Sequence, residues 1–468
     1  MFLDIDRHNP ADTAAIDENG ERLSYGDLCA VAKQMSRVLE KRALVFTLCK
    51  NTLGSLVGYI SFVSNGTVPL LLDAAMENEL VERLIAIYQP AYIWAPADRE
   101  RPRYRSVFRA YGYELLQTGC ELAELHDELA VLVTTSGSTG SPKLVRQSYK
   151  NIESNTDSII EYLGIDRAER PVTTLPMNYV YGTSVINSHL KQGATLLLTT
   201  KGLMQKDFWR FLREERATSI AGVPYTYEML KKLRFTTMKL PDLRTMTQAG
   251  GKLLPSLHQE FAQFAADSHK DLLIMYGAAE ATARMGYLPP EKSLEKYGGM
   301  GVAIPGGRFE LVDDEGRIIE EANKPGELVY YGENVTLGYA ECGADLAKGD
   351  ERGGRLVTGD LATRDEERYY TIVGRKKRFL KIFGNRVGLD ETERLIKARF
   401  QGIECACCGV DDKMYIFVTD GAPDKEIRAF VAGYTSLNAQ AFSVKLMETI
   451  PKNDAGKILY AKLEEYYE

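Results

Sequence analysis

The chain has 468 residues, a formal net charge of −7 and an isoelectric point near 5.6, with 44% hydrophobic, 26% charged and 9% aromatic residues. Single cores stop growing at about 250–300 residues, so this length calls for one large multi-lobed domain and a smaller one. The composition excludes collagen-like and disordered classes, and the acidic balance excludes a general nucleic-acid surface, which would need a basic patch.

The N-terminus, MFLDIDRHNPADTAA, is acidic and has no basic start leading into an apolar stretch, so no secretory or transit signal is expected and the default location is cytoplasmic. The next hundred residues alternate helix and strand signals. AVAKQMSRVLEK (residues 30–41) has helical apolar spacing, RALVFTLC (42–49) reads as a buried strand, and a second helix leads into VPLLLD, ending at Asp73. The longest apolar stretch, residues 56–72, is broken by Ser61, Ser64, Asn65, Gly66 and Pro69, so no membrane insertion is expected. Further strand runs appear at YIWA, AVLVTT, ATLLLTT, SIAGV, RTMTQAG and DLLIMYG, mostly separated by helical stretches such as KDFWRFLREE and YTYEMLKKL. That alternation predicts an α/β fold with parallel-type sheets.

From about Tyr297 the texture changes to Gly, Pro and short β runs, which predicts a small antiparallel β unit. After GRKKRF a compact α+β stretch of about ninety residues follows, near the lower size for a domain. The expected division is therefore 1–376 and 377–468. The seven cysteines have no regular spacing, and GIECACCGV, with Cys405, Cys407 and Cys408, reads as a short buried strand and not as a metal site.

The chemistry concentrates first in VLVTTSGSTGSPKLV. An apolar strand runs into Thr134, Thr135, Ser136, Gly137, Ser138, Thr139 and Gly140, and the segment closes on Lys143. Glycines permit positive φ, which turns successive backbone N–H groups toward an anion, hydroxyls add donors and the lysine adds charge. This is a polyphosphate cradle, but its spacing fails GxxxxGK followed by Ser or Thr, and no helix signal follows directly.

Residues 135–143 match almost position for position the signature loop of the adenylate-forming superfamily, which includes acyl-CoA synthetases, the adenylation domains of non-ribosomal peptide synthetases and beetle luciferases. The remaining segments resemble that family in order along essentially the whole chain. They are ERLSYGDL, SFVSNGTVPLLLD, LPMNYVYGTSV, TQAGGKLLP with Gly250, Gly251 and Lys252 beside adenine, and MYGAAE against YGxTE. VTGDLATRDEERYYTIVGR and PKNDAGKI complete the series. The resemblance implies ATP and Mg²⁺ as cofactors, with Asp360 accepting the ribose hydroxyls, Arg375 on the sugar or a phosphate, and Glu280 as the Mg²⁺ ligand. Tyr276, with Gly277, Ala278 and Ala279, would border the adenine or the acid. Lys457 would bridge the carboxylate and the α-phosphate, and the C-terminal domain, mobile about a hinge at Lys377, would carry it in and out.

Two departures stand out. Ala279 replaces the Thr of YGxTE, so a hydroxyl is missing, for which Thr282 or Thr139 could substitute; Tyr460 replaces the usual Arg after GKxx. In YVYGTSV, Gly182 falls where adenylation domains for α-amino acids carry an Asp that pairs the ammonium. The acid is then a neutral acyl or aryl acid, held by Tyr179, Tyr181, Gly182, Val223, Tyr225 and Gln248, with one tyrosine as an aromatic gate. The implied reaction forms acyl-AMP and pyrophosphate, then passes the acyl group to a pantetheine thiol, coenzyme A ahead of an acyl carrier protein. Alternatives are a stand-alone enzyme that loads a carrier protein, a catalytically weak acyl-adenylate or nucleotide sensor, and, more remotely, a luciferase-like oxygenase or an ordinary NTPase.

Overall fold

Two mixed sheets share one apolar layer in the N-terminal part of the computed structural model. The structure describes every residue except 41, 99–102, 135–142, 377, 401, 420–422, 453–457 and 468, and only the backbone of Arg386. The first sheet has nine strands, in the order Val302–Ala303, Gly286–Leu288, Asp271–Tyr276, Thr245–Gln248, Ser219–Gly222, Pro171–Val172, Leu196–Leu198, Thr13–Asp17 and Arg22–Ser24. The second has eight, with Val68–Asp73, Leu44–Cys49 and Tyr92–Pro96 near its centre. Parallel pairing fills the middle of each sheet and antiparallel strands close the edges. The runs LVFTLC and VPLLL are buried along their length, as strands covered on both faces must be.

Helix Leu53–Ser64 is buried on every side from Leu53 to Val63 and lies in the layer common to the two sheets. Its Tyr59 hydroxyl donates to Asn187 Oδ1 at 3.0 Å, tying it to helix Val180–Lys191. The helix expected over residues 30–41 spans Tyr25–Met35 instead. Ser24 and Asp27 set its start through a reciprocal capping box, each side chain accepting the other's backbone N–H at 2.9–3.0 Å.

The expected β unit is a four-stranded antiparallel sheet of Arg308–Val312, Gly326–Tyr331, Arg355–Arg364 and Tyr370–Arg375. Gly338–Ala340 leaves that unit and pairs with Leu144–Ser148 at the edge of the eight-stranded sheet. Residues from Leu380 onward pack a core of their own around Ile382, Ile396, Met414, Ile416 and Phe442. Strand Cys405–Val410 crosses it, with Cys405 and Cys407 facing one cluster and Ala406 and Cys408 the other. Among the described residues no cluster of potential metal ligands occurs, and no helix is long and apolar enough to cross a membrane.

Glycine at 58 is dictated by packing. A Cβ there would stand 2.2 Å from Trp94 Nε1, whose N–H donates to the Gly54 carbonyl at 2.9 Å. Gly58→Ala is expected to cost about 1–3 kcal/mol through overpacking, seen as a lower midpoint of chemical unfolding.

Candidate active site

Three adjacent parallel strands, Ser219–Gly222, Thr245–Gln248 and Asp271–Tyr276, end side by side, with Gly222 paired to Gln248 and Gln248 to Ile274. Their carboxyl ends release Val223, residues 249–251 and Gly277, and such an edge is where open α/β sheets bind ligands. Beside them, the antiparallel pair Leu129–Thr134 and Leu144–Ser148 flanks residues 135–142, with Thr134 opposite Leu144. Thr135, Ser136, Gly137, Ser138, Thr139, Gly140, Lys377 and Lys457 lie outside the described residues.

Lys143 and Glu280 converge on one side chain, Tyr339. The Tyr339 hydroxyl donates to Glu280 Oε1 at 2.7 Å, and Lys143 Nζ sits 4.4 Å from its ring centroid. Burial, then the Glu280 charge, pushes the Tyr339 phenol up to about 12, so it stays a donor. Arg352 covers the same ring at 4.5 Å and donates to the Glu280 carbonyl at 2.9 Å. Lys143 also pairs with Glu341 at 2.9 Å across an exposed surface.

Glu280 reaches this place because its loop doubles back. A Cβ on Gly277 would lie 1.7 Å from the Ala283 carbonyl oxygen, so only glycine lets the return strand approach. Ala278 leads into a short turn, Ala279–Ala281, and the Ala279 methyl packs on the shared core of the two sheets. The substitute hydroxyl expected from Thr282 is not available: Thr282 Oγ1 donates to the Asn334 carbonyl at 2.7 Å, and its φ of 65° turns it away into the core.

A second cluster joins Tyr276, Asp360 and Arg375. Asp360 and Arg375 face each other in register, with Arg375 Nε 3.3 Å from Asp360 Oδ1, and the Tyr276 hydroxyl donates to Asp360 Oδ2. Burial raises the Asp360 carboxyl, while Tyr276 and Arg375 oppose that rise. Lys252, after the glycine pair, donates to the Ile372 carbonyl at 2.6 Å on the same β unit.

The residues expected around the acid divide into two groups. Tyr179, Tyr181 and Val223 belong to one apolar cluster, with the two tyrosine rings 6.3 Å apart. Gly250 has φ of 82°, and a Cβ on it would stand 2.6 Å from the Tyr179 hydroxyl, so the glycine turn lets that phenol lie across it. Gly182 is required for a different reason than the absence of a counter-charge: a Cβ would meet the Pro176 carbonyl at 2.3 Å, because helix Val180–Lys191 packs on that backbone. Tyr225 is 44% exposed and faces Lys452, whose Nζ is 5.3 Å from its ring, so it does not line a buried pocket. Gln248 is fully buried and spends its amide N–H groups on the carbonyls of Ala249 and Gly251, bracing the turn. A cation that was not expected beside these tyrosines, Arg284, is stacked 4.2 Å from the Tyr181 ring.

The chain matches the AMP-binding enzyme family model over residues 4–340. It belongs to the AMP-binding enzyme family. It is 27% identical over 359 residues to a long-chain-fatty-acid–CoA ligase of Yersinia pestis, covering 73% of this chain and 62% of that one. It is 26% identical to an oxalate–CoA ligase of Arabidopsis thaliana (74% and 68% covered) and 30% identical to a mitochondrial medium-chain acyl-CoA ligase of Rattus norvegicus (71% and 57%). The chain thus spans less than two thirds of the first and third of these relatives. Its fold is similar to that of o-succinylbenzoate CoA synthetase from Bacillus subtilis, solved with its acyl-adenylate intermediate, at a TM-score of 0.81 with 19% identity over 99% and 97% of the two chains. MatB from Rhodopseudomonas palustris, solved with ATP, gives 0.79 with 21% identity over 100% and 98%.

In this member of the family the carboxylate of Glu280 has one oxygen held by the hydroxyl of Tyr339, on the strand paired with Leu144–Ser148. That donor set fits magnesium at a nucleotide site, where one or two carboxylates combine with phosphate oxygens and water. Tyr339, Arg352 and Arg284 escaped the sequence reading; for Arg284 the signal was a lone arginine in the mostly small and apolar segment ATARMGYL. Gly277→Ala is expected to displace the 278–284 return and lower the thermal midpoint by the equivalent of about 1–3 kcal/mol, with MgATP no longer raising it.

Proposed function

We propose that the chain is an AMP-forming acid–thiol ligase that activates a carboxylic acid, other than an α-amino acid, as its acyl-adenylate and passes the acyl group to coenzyme A. The observation that carries this reading is the convergence of Lys143 and Glu280 on Tyr339 beside the carboxyl ends of three parallel strands, with Asp360 and Arg375 in register across the β unit. The relatives named as CoA ligases support the same class of reaction.

A carboxylate oxygen of the acid attacks the α-phosphorus of ATP, the bond from that phosphorus to the bridging β-oxygen breaks, and pyrophosphate leaves. Magnesium, when bound at Glu280, supplies charge neutralisation on the polyphosphate. Lys143 brings a positive charge to the same phosphates, held by the Tyr339 ring face. Asp360, fixed by the Tyr276 hydroxyl and Arg375, accepts the ribose hydroxyls. The thiol of coenzyme A then attacks the acyl carbon, loses its proton, and AMP departs. Position 182 is a glycine and offers no carboxylate to pair an α-ammonium, which supports an acid without one.

The reading includes a division into domains at 376/377, with the C-terminal domain turning about Lys377 so that Lys457 serves only the first half-reaction. Lys452 and Ile458, which bracket residues 453–457, form an antiparallel bridge, and Lys452 stands over the exposed ring of Tyr225. A reducing, cytoplasmic setting fits the free cysteines.

Acid-dependent exchange of labelled pyrophosphate into ATP tests the activity; ATP binding with no exchange for any fatty, aryl or dicarboxylic acid rejects it. Lys457→Ala is expected to reduce exchange by at least about a hundredfold while thioester formation from supplied acyl-adenylate persists, and equal loss of both steps rejects the two-pose role.

A further inference from the structure

Two arginines are among the largest fully buried side chains, Arg146 and Arg284. Arg146 has a carboxylate, Glu351, against its Nη2 and backbone carbonyls on its other nitrogens. Arg284 is 1% exposed and has no carboxylate partner among the described residues. Its Nη1 donates to the Tyr162 hydroxyl at 3.1 Å and to Met275 Sδ, its Nη2 to Ser184 Oγ at 3.0 Å, and its Nε is buried with no partner. The guanidinium is always charged, and burying a cation among neutral groups costs several kcal/mol unless an anion offsets it.

The cation faces a small cavity of about 30 Å³, which it lines together with Val185, Ser188, His189, Ala221 and Thr247. The cavity lies between helices Tyr149–Leu163 and Val180–Lys191 and strands Ser219–Gly222 and Thr245–Gln248. One carboxylate also lines it, Glu169, but that group is engaged by Arg244 at 2.9 Å and by the Thr218 hydroxyl. His189 is neutral: burial, with a further push from Arg284, brings its pKa down to about 4. The net charge facing the cavity from Arg284's side is therefore positive. It has room for a small polar group, being above the roughly 10–15 Å³ that admits one water and far below the ~300–1,000 Å³ of a site for a whole organic ligand.

The position relative to the reaction is also defined. Arg284 stacks on Tyr181, Tyr181 neighbours Tyr179, and the Tyr179 hydroxyl lies across the Gly250 turn at the carboxyl edge of the sheet. Tyr181, buried and donating its hydroxyl to Thr247 Oγ1 at 2.8 Å, thus stands between Tyr179 and the guanidinium, and Thr247 in turn lines the cavity.

We propose that Arg284 receives a second carboxylate, so that the preferred substrates are dicarboxylic acids activated at the end remote from Arg284. This rests on the acid-ligase reading above and narrows its substrate class. Loss of a buried partner from a charge-assisted pair commonly reduces binding by a hundredfold or more.

The test compares chain-length pairs, butyrate with succinate, valerate with glutarate and hexanoate with adipate, by kcat/KM for acid-dependent AMP release in wild type, Arg284→Lys and Arg284→Met. The expected result is a preference of at least about a hundredfold for the diacid in one pair of the wild type. It should fall to within about threefold in Arg284→Met, chiefly through KM, and be partly restored in Arg284→Lys. A wild type that favours the monoacid in every pair, or an Arg284→Met enzyme with an unaltered ratio, overturns the proposal. Should Arg284→Met fail to fold, shown by loss of a cooperative unfolding transition, a diacid KM in Arg284→Lys equal to that of the wild type overturns it instead. Calorimetric titration of the wild type with glutarate and with valerate separates the two levels of inference. Glutarate binding without AMP release supports the anion site while rejecting the ligase reading, and AMP release with valerate preferred does the reverse.

Discussion

The guanidinium of Arg146 holds together the sheet edge that carries Lys143 and Tyr339. Wholly buried, it donates from Nε to the Tyr339 carbonyl at 3.0 Å, from Nη1 to Lys348 and Gly349, and from Nη2 to Leu337 and Glu351. Five donors in a rigid fork thereby gather residues 337–351 against strand Leu144–Ser148, which begins next to Lys143. The short strand Gly338–Ala340 is pinned in register, Tyr339 opposite Val145, and its side chain comes to stand between Lys143 and Glu280. A burial that would be costly for a lone cation is offset here by a carboxylate and saturated hydrogen bonding.

From that edge the site extends by close approaches that glycine alone permits. The return of the 277–284 loop places Glu280 beneath Tyr339, and the Gly250 turn admits the Tyr179 phenol. Thr336 and Arg352 both donate to the Glu280 carbonyl, so the backbone of the carboxylate is fixed as firmly as its side chain. Ala279 then has a structural account: its methyl faces the apolar layer shared by the two sheets.

Much of this was legible in the sequence because the functional segments sit where strands end, and strand ends announce themselves as apolar runs broken by Gly, Ser or Thr. The parallel centres, the β unit and the buried cysteine strand follow from the same local patterns. What was not legible depends on partners distant in sequence. Tyr339 is 59 residues from Glu280, and nothing near it indicates which carboxylate its hydroxyl meets. Tyr225 looked like a pocket residue from its neighbours, yet helix Pro224–Lys232 turns it outward to Lys452. The Pro176 carbonyl that leaves no room for a Cβ at Gly182 is likewise invisible in the residues around it. The helix beginning at Tyr25 was displaced because a Ser-x-x-Asp cap outweighed the apolar spacing that follows it.

The exchange of the usual arginine for Tyr460 has its explanation in the C-terminal core. Arg378 pairs with Glu393 at 2.6 Å and Asp390 at 2.7 Å, and its guanidinium lies 3.7 Å from the Tyr460 ring. The Tyr460 hydroxyl donates to both oxygens of Glu393 at 3.1 Å, and the Cys407 N–H donates to the same carboxylate at 2.7 Å. A second guanidinium at 460 would confront Arg378 across one buried carboxylate, whereas the phenol adds a donor and a π-face without adding charge. The network therefore links the residue that follows Lys377 to the segment that follows Lys457, using one acid that is nearly enclosed by the core. Packing of this kind joins the start and the end of the C-terminal core into one close-packed body.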